Sequence, residues 1–366
     1  MSKTENKSDR SASPRTPRRK SAVRTQPSAL NPQRSAFSIQ RSALPLVIVN
    51  PTSAGGATGR AWPRMASDLR EHFGAFNCVF TGRGGEARVI AASEAAAGRR
   101  LIIACGGDGT IAEVANGILA AGADTELGIL PSGTGGDFRR TLGIPTRTAD
   151  AALALKRERT QLIDVGRVEY FNPEGEAEWR YFVNVASCGM GGEVIRRVKG
   201  EKSRWLPLPV PAGLLTGRAA YALAALQTAL AFTKPTLGVR IDGGREHQLV
   251  AANLCVANAR YFGGGMKIAP AAKLDDEQLD VVAIGDLDAL KILTNVQHLY
   301  LGTHLGLAQV HHAPARRILA RGVAGEKVLL EVDGELVGTL PATFDILPRA
   351  LRIRVSEVHP ISPAFC

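Results

Sequence analysis

Short apolar runs alternate with longer amphipathic stretches from Leu44 to about Pro145. The apolar runs are bounded by turn residues, as expected of strands buried on both faces of a parallel sheet. They lie at 46–49, 78–80, 101–105 and 127–130. The stretches with helical periodicity lie at 58–73, 85–97 and 110–121. This alternation predicts an α/β domain with a parallel sheet covered on both faces.

The pattern changes in the second half of the chain, where alternating polar and apolar segments are separated by turn sequences. It predicts a second, mostly antiparallel domain that forms a β-sandwich, with helical inserts at 213–232 and 287–306. We therefore expect an α/β nucleotide-binding domain at 43–161, rejoined by 345–366, and a β-rich substrate and metal domain at 162–344.

The apolar stretch 213–232 is long enough to raise the question of a membrane span. Arg218 and Gln227 interrupt it, and three prolines shortly precede it. We therefore expect a helix that covers the core or lines an apolar substrate site, rather than a transmembrane segment.

Residues 1–42 carry most of the excess positive charge. The chain has 45 Lys and Arg against 34 Asp and Glu, a net charge of +11, and residues 1–42 contain ten of the basic and two of the acidic residues. The remainder is nearly balanced, so we expect no nucleic-acid binding. The segment is too polar to fold by itself. It is either a solvated tail without a specific role, a segment attracted to anionic lipid, or a transit peptide.

The cysteines and histidines indicate no metal or disulfide framework. The five cysteines include no Cys-x-x-Cys pair, and the seven histidines form no metal-binding pattern. A reducing cytoplasm fits this cysteine usage best.

Three glycine-rich turns follow predicted strands. Gly-Gly-Asp-Gly-Thr at 106–110 opens a helix, Pro-Ser-Gly-Thr-Gly-Gly-Asp at 131–137 follows the next strand, and Asn-Pro-Thr-Ser-Ala-Gly-Gly at 50–56 follows the first. Glycines let the backbone approach a ligand, and free amides at a helix start favour phosphate. Because the carboxyl ends of parallel strands share one edge of the sheet, we expect one phosphate-binding site there. Neither a P-loop nor a dinucleotide-binding motif after the first strand is present.

These turns together resemble the diacylglycerol kinase catalytic-domain family, which includes sphingosine and ceramide kinases and bacterial lipid kinases. In the first domain the matching residues are Asn50-Pro51, the turn at 106–110 with Glu113, and Pro131-x-Gly133-Thr134-x-x-Asp137-Phe138. In the second they are Phe182-x-Asn184-x-x-Ser187-x-Gly189, Asn258 through Gly263-Gly264-Gly265, Pro270, Asp275-Asp276 and Asp333-Gly334-Glu335. The resemblance covers residues 43–356 and implies the two-domain fold shared by NAD kinases and diacylglycerol kinases.

The resemblance implies ATP in the cleft between the domains. The nucleotide contacts it implies are Thr81, Gly107, Asp108, Gly109, Thr110, Ile111, Ala112, Glu113 and Thr134. The glycine-rich turns themselves add Asn50, Thr52, Gly106 and Gly133.

The resemblance also implies a magnesium site and a proton acceptor. The magnesium site falls on Asp276 with the main-chain carbonyls of Lys273 and Gln278, and the proton acceptor on Glu335. Asp108 and Glu335 are the carboxylates suited to activating a hydroxyl or holding a metal near phosphates, and the sequence does not divide those two roles between them. Asp333 either stabilises its hairpin turn or takes part in the site.

Two positions depart from the family pattern. Gly136 stands where the family commonly has Asn in Gly-Thr-x-Asn-Asp, and Glu277 replaces the glycine of Asp-Asp-Gly-x-Leu-Asp. The first change removes an amide that contacts nucleotide or holds the loop. The second adds a negative charge beside the metal residues and removes a residue free to adopt positive φ.

We expect a soluble, cytoplasmic, peripherally membrane-associated lipid kinase that uses ATP and Mg²⁺ to phosphorylate a diacylglycerol-like or sphingoid lipid. Its partners would be this lipid and an anionic membrane surface. The sequence does not decide whether the protein also forms a homodimer. The alternatives are an NAD kinase-type phosphotransferase, which shares Gly-Gly-Asp-Gly-Thr, and a catalytically weakened regulator that binds lipid or nucleotide.

Overall fold

The computed structural model describes residues 44–199, 228, 231–286 and 289–356. Its α-helices are α1 (Ala57–His72), α2 (Glu86–Ala96), α3 (Asp108–Ala121), α4 (Asp137–Thr141), α5 (Thr148–Lys156), α6 (Met190–Lys199) and α7 (Ala289–Leu301). Its strands are β1 (Leu46–Val49), β2 (Asn77–Phe80), β3 (Leu101–Gly106), β4 (Glu126–Pro131), β5 (Thr160–Phe171), β6 (Ala177–Phe182), β7 (Val185–Gly189), β8 (Thr236–Ile241), β9 (His247–Val250), β10 (Asn253–Ala257), β11 (Leu279–Ile284), β12 (Val310–Ala315), β13 (Arg317–Gly322), β14 (Leu329–Val332) and β15 (Glu335–Arg354).

The first half contains a parallel sheet in the order β2-β1-β3-β4. Every residue of β1 and β3 is buried. Because successive side chains of a strand point to opposite faces, both faces of the sheet are covered. Helix α1 packs against α5, and α2 packs against α3. This arrangement confirms the predicted α/β domain and brings the ends of β1, β3 and β4 to one edge.

Strand β15 joins the two halves of the molecule. It pairs in parallel with β4 through Ile353 and Leu127, and antiparallel with β5, β13 and β14. At this junction the buried Arg354 donates through Nε to Glu126 Oε2 at 2.6 Å. The strand runs through position 345 without a break, and the domain boundaries expected from the sequence stay predictions.

The second half is a mostly antiparallel β-sandwich, as predicted. One run of strands follows the order β12-β11-β10-β7-β14-β15, and β13, β8, β9, β5 and β6 extend from β15. Their inner faces share a hydrophobic core that includes the buried Phe182, Leu254 and Phe344. The rings of Phe182 and Phe344 meet edge to face, with centroids 6.4 Å apart.

Several elements differ from the sequence expectation. The hydrophobic pattern does not predict α5, α6, β12 or β13. Strand β12 contains two histidines and a proline, and α6 has two glycines in its first turn, so their composition is poor for these structures. Helix α3 begins at Asp108 rather than at 110, which places Asp108 in the helix itself.

Some predicted segments lie outside the described residues. These are the tail at 1–42, residues 357–366 and most of the insert at 213–232, of which the structure describes Thr228 and residues 231–232. Within the part that is described, no helix is long and apolar enough to cross a membrane.

Candidate active site

The turns after β3 and β4 lie against each other and line one cavity. A Cβ on Gly133 would lie only 2.4 Å from the Cα of Gly107, so this approach requires glycine. The cavity has a volume of about 210 Å³. Pockets for whole small-molecule ligands are roughly 300–1,000 Å³, so this cavity fits a part of a nucleotide such as its phosphates. It is lined by Gly106, Gly107, Asp108, Ile111, Pro131, Gly133, Thr134, Gly135, Gly136, Arg139, Arg140 and Thr146.

The Asp108 side chain joins the two turns. Its carboxylate accepts hydrogen bonds from the backbone amides of Gly136 (2.8 Å), Asp137 (3.1 Å) and Phe138 (3.1 Å). These amides lie at the start of α4, where helical N–H groups lack partners and negative charge is favoured. A Cβ on Gly135 would lie 2.7 Å from Asp108 Oδ2. Asp108 therefore fixes the shape of the second turn, and its catalytic role stays a prediction.

Asp137 connects the second turn to the loop after β10. Its buried carboxylate accepts hydrogen bonds from Arg140 Nη1 (2.6 Å) and from the amide of Gly264 (2.8 Å). Burial raises the pKa of Asp137 and the charge of Asp108 adds to the rise, while the bonds from Gly264 and Arg140 oppose it. Arg140 also donates to the carbonyl of Gly135 at 2.6 Å. The glycine-rich loop of the second half is thereby held against the second turn.

The first turn and Glu113 support the cavity from outside its lining. Asn50 Nδ2 donates to Thr110 Oγ1 at 3.1 Å, and Asn50 Oδ1 accepts from the amide (3.1 Å) and hydroxyl (2.8 Å) of Thr52. The carboxylate of Glu113 accepts hydrogen bonds from the backbone amides of Gly85 (2.9 Å) and Ala87 (3.1 Å) at the start of α2. These residues position α3 and its neighbours.

The turn between β14 and β15 presents Glu335. The buried carboxylate of Asp333 accepts hydrogen bonds from the backbone amides of residues 183–185, at 3.0, 3.0 and 3.1 Å. Glu335 Oε2 pairs with Arg180 Nη2 at 3.1 Å. Asp333 thus holds the turn in place, which is the structural role that the sequence left open. Glu335 does not belong to the lining of the cavity.

Strand β6 links this turn to α3, the helix that follows the glycine-rich turn at 106–110. Arg180, the partner of Glu335, is followed by Tyr181, whose amide donates to Asn116 Oδ1 at 3.0 Å and whose carbonyl accepts from Asn116 Nδ2 at 3.0 Å. Asn116 lies on α3, the helix that begins at Asp108. Neighbouring residues of one strand therefore contact both the helix of the phosphate cavity and Glu335.

The residues predicted to hold magnesium lie on the loop between β10 and β11. Asp276 Oδ1 accepts the amide of Gln278 at 3.3 Å. Burial raises the pKa of Asp276, and the charges of Asp280 and Asp164 add to the rise, while Lys273 opposes it. A cation beside Asp276 would relieve this accumulated negative charge. Among the described residues no three His, Cys, Asp or Glu side chains are grouped to hold a metal, so magnesium would need main-chain carbonyls and water as well.

Glu277 adopts the backbone conformation that a glycine would favour. Its φ is 60°, in the left-handed region, which costs a non-glycine residue roughly 1–2 kcal/mol. Its amide donates to Asp164 Oδ2 at 2.6 Å, and its carboxylate pairs with Arg316 Nη2 at 2.9 Å. The chain therefore keeps this turn despite the substitution, and Arg316 offsets the added charge.

Comparison with known proteins gives the family. Residues 45–168 match the family model for the diacylglycerol kinase catalytic domain, and residues 208–355 match the YegS C-terminal NAD kinase beta sandwich-like domain. A Pseudomonas aeruginosa protein named "Probable lipid kinase YegS-like" is 32% identical over 283 residues, which cover 76% of this chain and 83% of that protein. The chain belongs to the diacylglycerol kinase family.

Other relatives of this diacylglycerol kinase family member agree. A Mycobacterium tuberculosis protein named diacylglycerol kinase is 28% identical over 310 residues, which cover 84% of this chain and 93% of the relative. A crystal structure of a diacylglycerol kinase from Bacillus anthracis superposes with a TM-score of 0.60 at 22% identity, over 85% of this chain and 96% of that one. The family and the fold predicted from the motifs are confirmed, and the chain is a kinase.

The cavity of this kinase brings together part of the predicted nucleotide set. The predicted residues in its lining are Gly106, Gly107, Asp108, Ile111, Gly133 and Thr134. Those outside the lining are Asn50, Thr52, Thr81, Gly109, Thr110, Ala112 and Glu113. Sequence reasoning missed Arg139, Arg140 and Thr146. Two adjacent arginines in the short helix that follows a glycine-rich turn are a signal for an anion site that could have been used.

The pH dependence of stability tests the buried carboxylate that holds the Glu335 turn. Burial raises the pKa of Asp333 to about 6, against the effect of the amides of residues 183–185 and of Arg180. The folded kinase therefore binds a proton on Asp333 more tightly than the unfolded chain does. The stabilisation that this proton gives at low pH is lost as the pH rises towards 6. We expect the free energy of unfolding of the wild type, relative to Asp333→Asn, to fall by about 3 kcal/mol between about pH 3.5 and pH 7.

Urea denaturation of both proteins at each pH measures this difference, and contributions from the other carboxylates cancel in it. A difference that stays constant or rises with pH would show that the three amides outweigh burial.

Proposed function

We propose that this kinase transfers the γ-phosphate of ATP to the hydroxyl group of a lipid, with the assistance of Mg²⁺. The observation that carries the proposal is the cavity formed by two glycine-rich turns that Asp108 locks together. Its lining includes the glycine backbone of both turns and two arginines, which suits a chain of phosphates.

The cavity fits the phosphates of ATP for steric reasons as well. A Cβ at Gly106 would lie 2.4 Å from Thr110 Oγ1, and one at Gly133 would lie 2.4 Å from Gly107 Cα, so the close packing of the turns that shape the cavity depends on glycine there. A Cβ added at Gly107 would make only ordinary contacts, because its nearest neighbours would lie 3.5 Å away. ATP, when bound, supplies the phosphoryl group, and the amides at the start of α3 would hold its negative charge.

The carboxylates of the second half would serve the acceptor. Glu335 would accept the proton of the lipid hydroxyl, and its ion pair with Arg180 at 3.1 Å restrains its carboxylate. Asp276 would hold Mg²⁺ together with the main-chain carbonyls of Lys273 and Gln278, with water completing the coordination. Phosphoryl transfer depends mainly on positioning and on neutralising charge, and these residues supply both.

A diacylglycerol-like glycerolipid or a sphingoid base is the proposed acceptor. The relatives named diacylglycerol kinase and lipid kinase support this class of substrate. The apolar stretch 213–232 and the basic tail 1–42 are the parts of the sequence suited to contact lipid and an anionic membrane surface.

A panel of lipids presented in vesicles with ATP and Mg²⁺ tests the proposal. We expect a phosphorylated lipid product with at least one glycerolipid or sphingoid base, and stronger vesicle binding at low salt when the vesicles contain anionic lipid. Formation of NADP from NAD without a phospholipid product would instead establish an NAD kinase. Binding of ATP without turnover on any lipid would establish a regulator and overturn the proposal.

The substitution Glu335→Gln tests the proton acceptor separately. A general base contributes typically about 10²–10⁴-fold to a rate, so we expect kcat to fall at least about 100-fold while the Kd for ATP changes less than about twofold. Steady-state kinetics and calorimetric ATP titration measure the two quantities. Glu174→Gln, on the exposed turn between β5 and β6, is the matched control. Equal losses in kcat and ATP affinity would argue against the role.

A further inference from the structure

Gly136, which departs from the family pattern, lies against the side chain of Arg139. Gly136 stands where the family commonly has Asn, and its φ of 68° lies in the left-handed region. A Cβ at this position would lie 3.1 Å from Nε, 3.6 Å from Nη2 and 3.8 Å from Cζ of Arg139. The guanidinium of Arg139 therefore lies across Gly136, in the space that a side chain at 136 would begin to fill.

Arg139 is held at one end and open at the other. Its Nη1 donates to the carbonyl of Ile144 at 2.9 Å. Among the described residues, no acceptor is hydrogen-bonded to its Nε or Nη2. Neither of these atoms is among the buried polar atoms that lack a hydrogen-bond partner. Because Arg139 lines the cavity between the glycine-rich turns, this edge of the guanidinium is available to a ligand there.

The other charged groups of the cavity are bound within the protein, Arg140 through Nη1 and Asp108 through both carboxylate oxygens. Arg140 donates to Asp137 and to the carbonyl of Gly135, both at 2.6 Å. The carboxylate of Asp108 is bound by three backbone amides. Burial lowers the pKa of Arg139 and the neighbouring charge of Arg140 lowers it further, while the charges of Asp108 and Asp137 oppose this shift. An anion beside Arg139 would relieve the repulsion between these two guanidinium groups.

We propose that Arg139 binds the β- or γ-phosphate of ATP in the cavity, and that glycine at 136 is what gives its guanidinium room to do so. Two parallel N–H groups of arginine match two phosphate oxygens and carry a positive charge. An asparagine amide is neutral and lacks this charge. In this chain the positive charge of Arg139, on the helix that follows Gly136, thus takes the place of the neutral asparagine side chain. Naming ATP rests on the proposed function.

Direct binding of nucleotides to the full-length chain without lipid tests this role. A hydrogen bond to a charged group contributes about 1.5–3 kcal/mol, so Arg139→Ala should raise the Kd for ATP by about 10-fold to 100-fold, since each 1.4 kcal/mol is tenfold. AMP affinity should change less than the affinity for ATP, because AMP lacks the outer phosphates. Arg157→Ala, at the exposed end of α5, is the matched control and should leave both affinities unchanged.

The double substitution separates a ligand contact from a structural role. Gly136→Asn alone should weaken ATP binding, because its Cβ crowds Arg139. Gly136→Asn combined with Arg139→Ala restores the family's residue at 136, and we expect it to bind ATP more tightly than Arg139→Ala alone. Asparagine tolerates positive φ, so the turn itself should persist, and thermal unfolding without ligand checks this.

Three outcomes would overturn the proposal: Arg139→Ala leaves ATP affinity within twofold of the wild type, it weakens ATP and AMP equally, or the double variant binds no better than Arg139→Ala. Equal weakening with a lowered melting temperature would mean that Arg139 only holds the Ile144 carbonyl. If the wild type itself binds no ATP while the vesicle assay gives no product, the proposed function has failed, which is a separate result.

Discussion

A carboxylate at the start of one helix accepts three backbone amides at the start of another, and this contact between Asp108 and residues 136–138 organises the candidate site. An acid beside a phosphate site would repel the ligand if its charge were exposed. Here the three amides offset that charge, while Arg139 and Arg140 supply positive charge to the same cavity. Asp108 thereby holds the second turn against Gly107 without making the cavity acidic.

The same contact affects how the two halves of the molecule meet. Residues 136–138 include Asp137, whose carboxylate receives the amide of Gly264 from the β-rich half. Strand β6 provides a second connection, since Tyr181 contacts α3 and Arg180 contacts Glu335. The continuous strand β15 provides a third. A shift of the second turn would therefore be transmitted to the loop that contains Gly264.

The sequence predicts those parts of the site that depend on local patterns. Buried apolar runs followed by glycine-rich turns identify the strands and the edge where they end, because burial and tight turning leave a signal within a few residues. Contacts between distant residues leave no such signal. The amides bound by Asp108 lie 28 to 30 positions away, and Asp164, which helps to raise the pKa of Asp276, belongs to the distant strand β5. The length of β15 is hidden by Pro341 and Pro348, which interrupt its alternating pattern.

Amide hydrogen exchange at Gly136, Asp137 and Phe138 measures whether Asp108 holds the second turn in place. In the wild type these amides should be protected by Asp108, and in Asp108→Ala they should exchange at least about tenfold faster, because each loses a charge-assisted hydrogen bond. Asp124→Ala, in the exposed turn before β4, should leave them unchanged. Unaltered protection of all three amides in Asp108→Ala would show that Asp108 does not hold this turn.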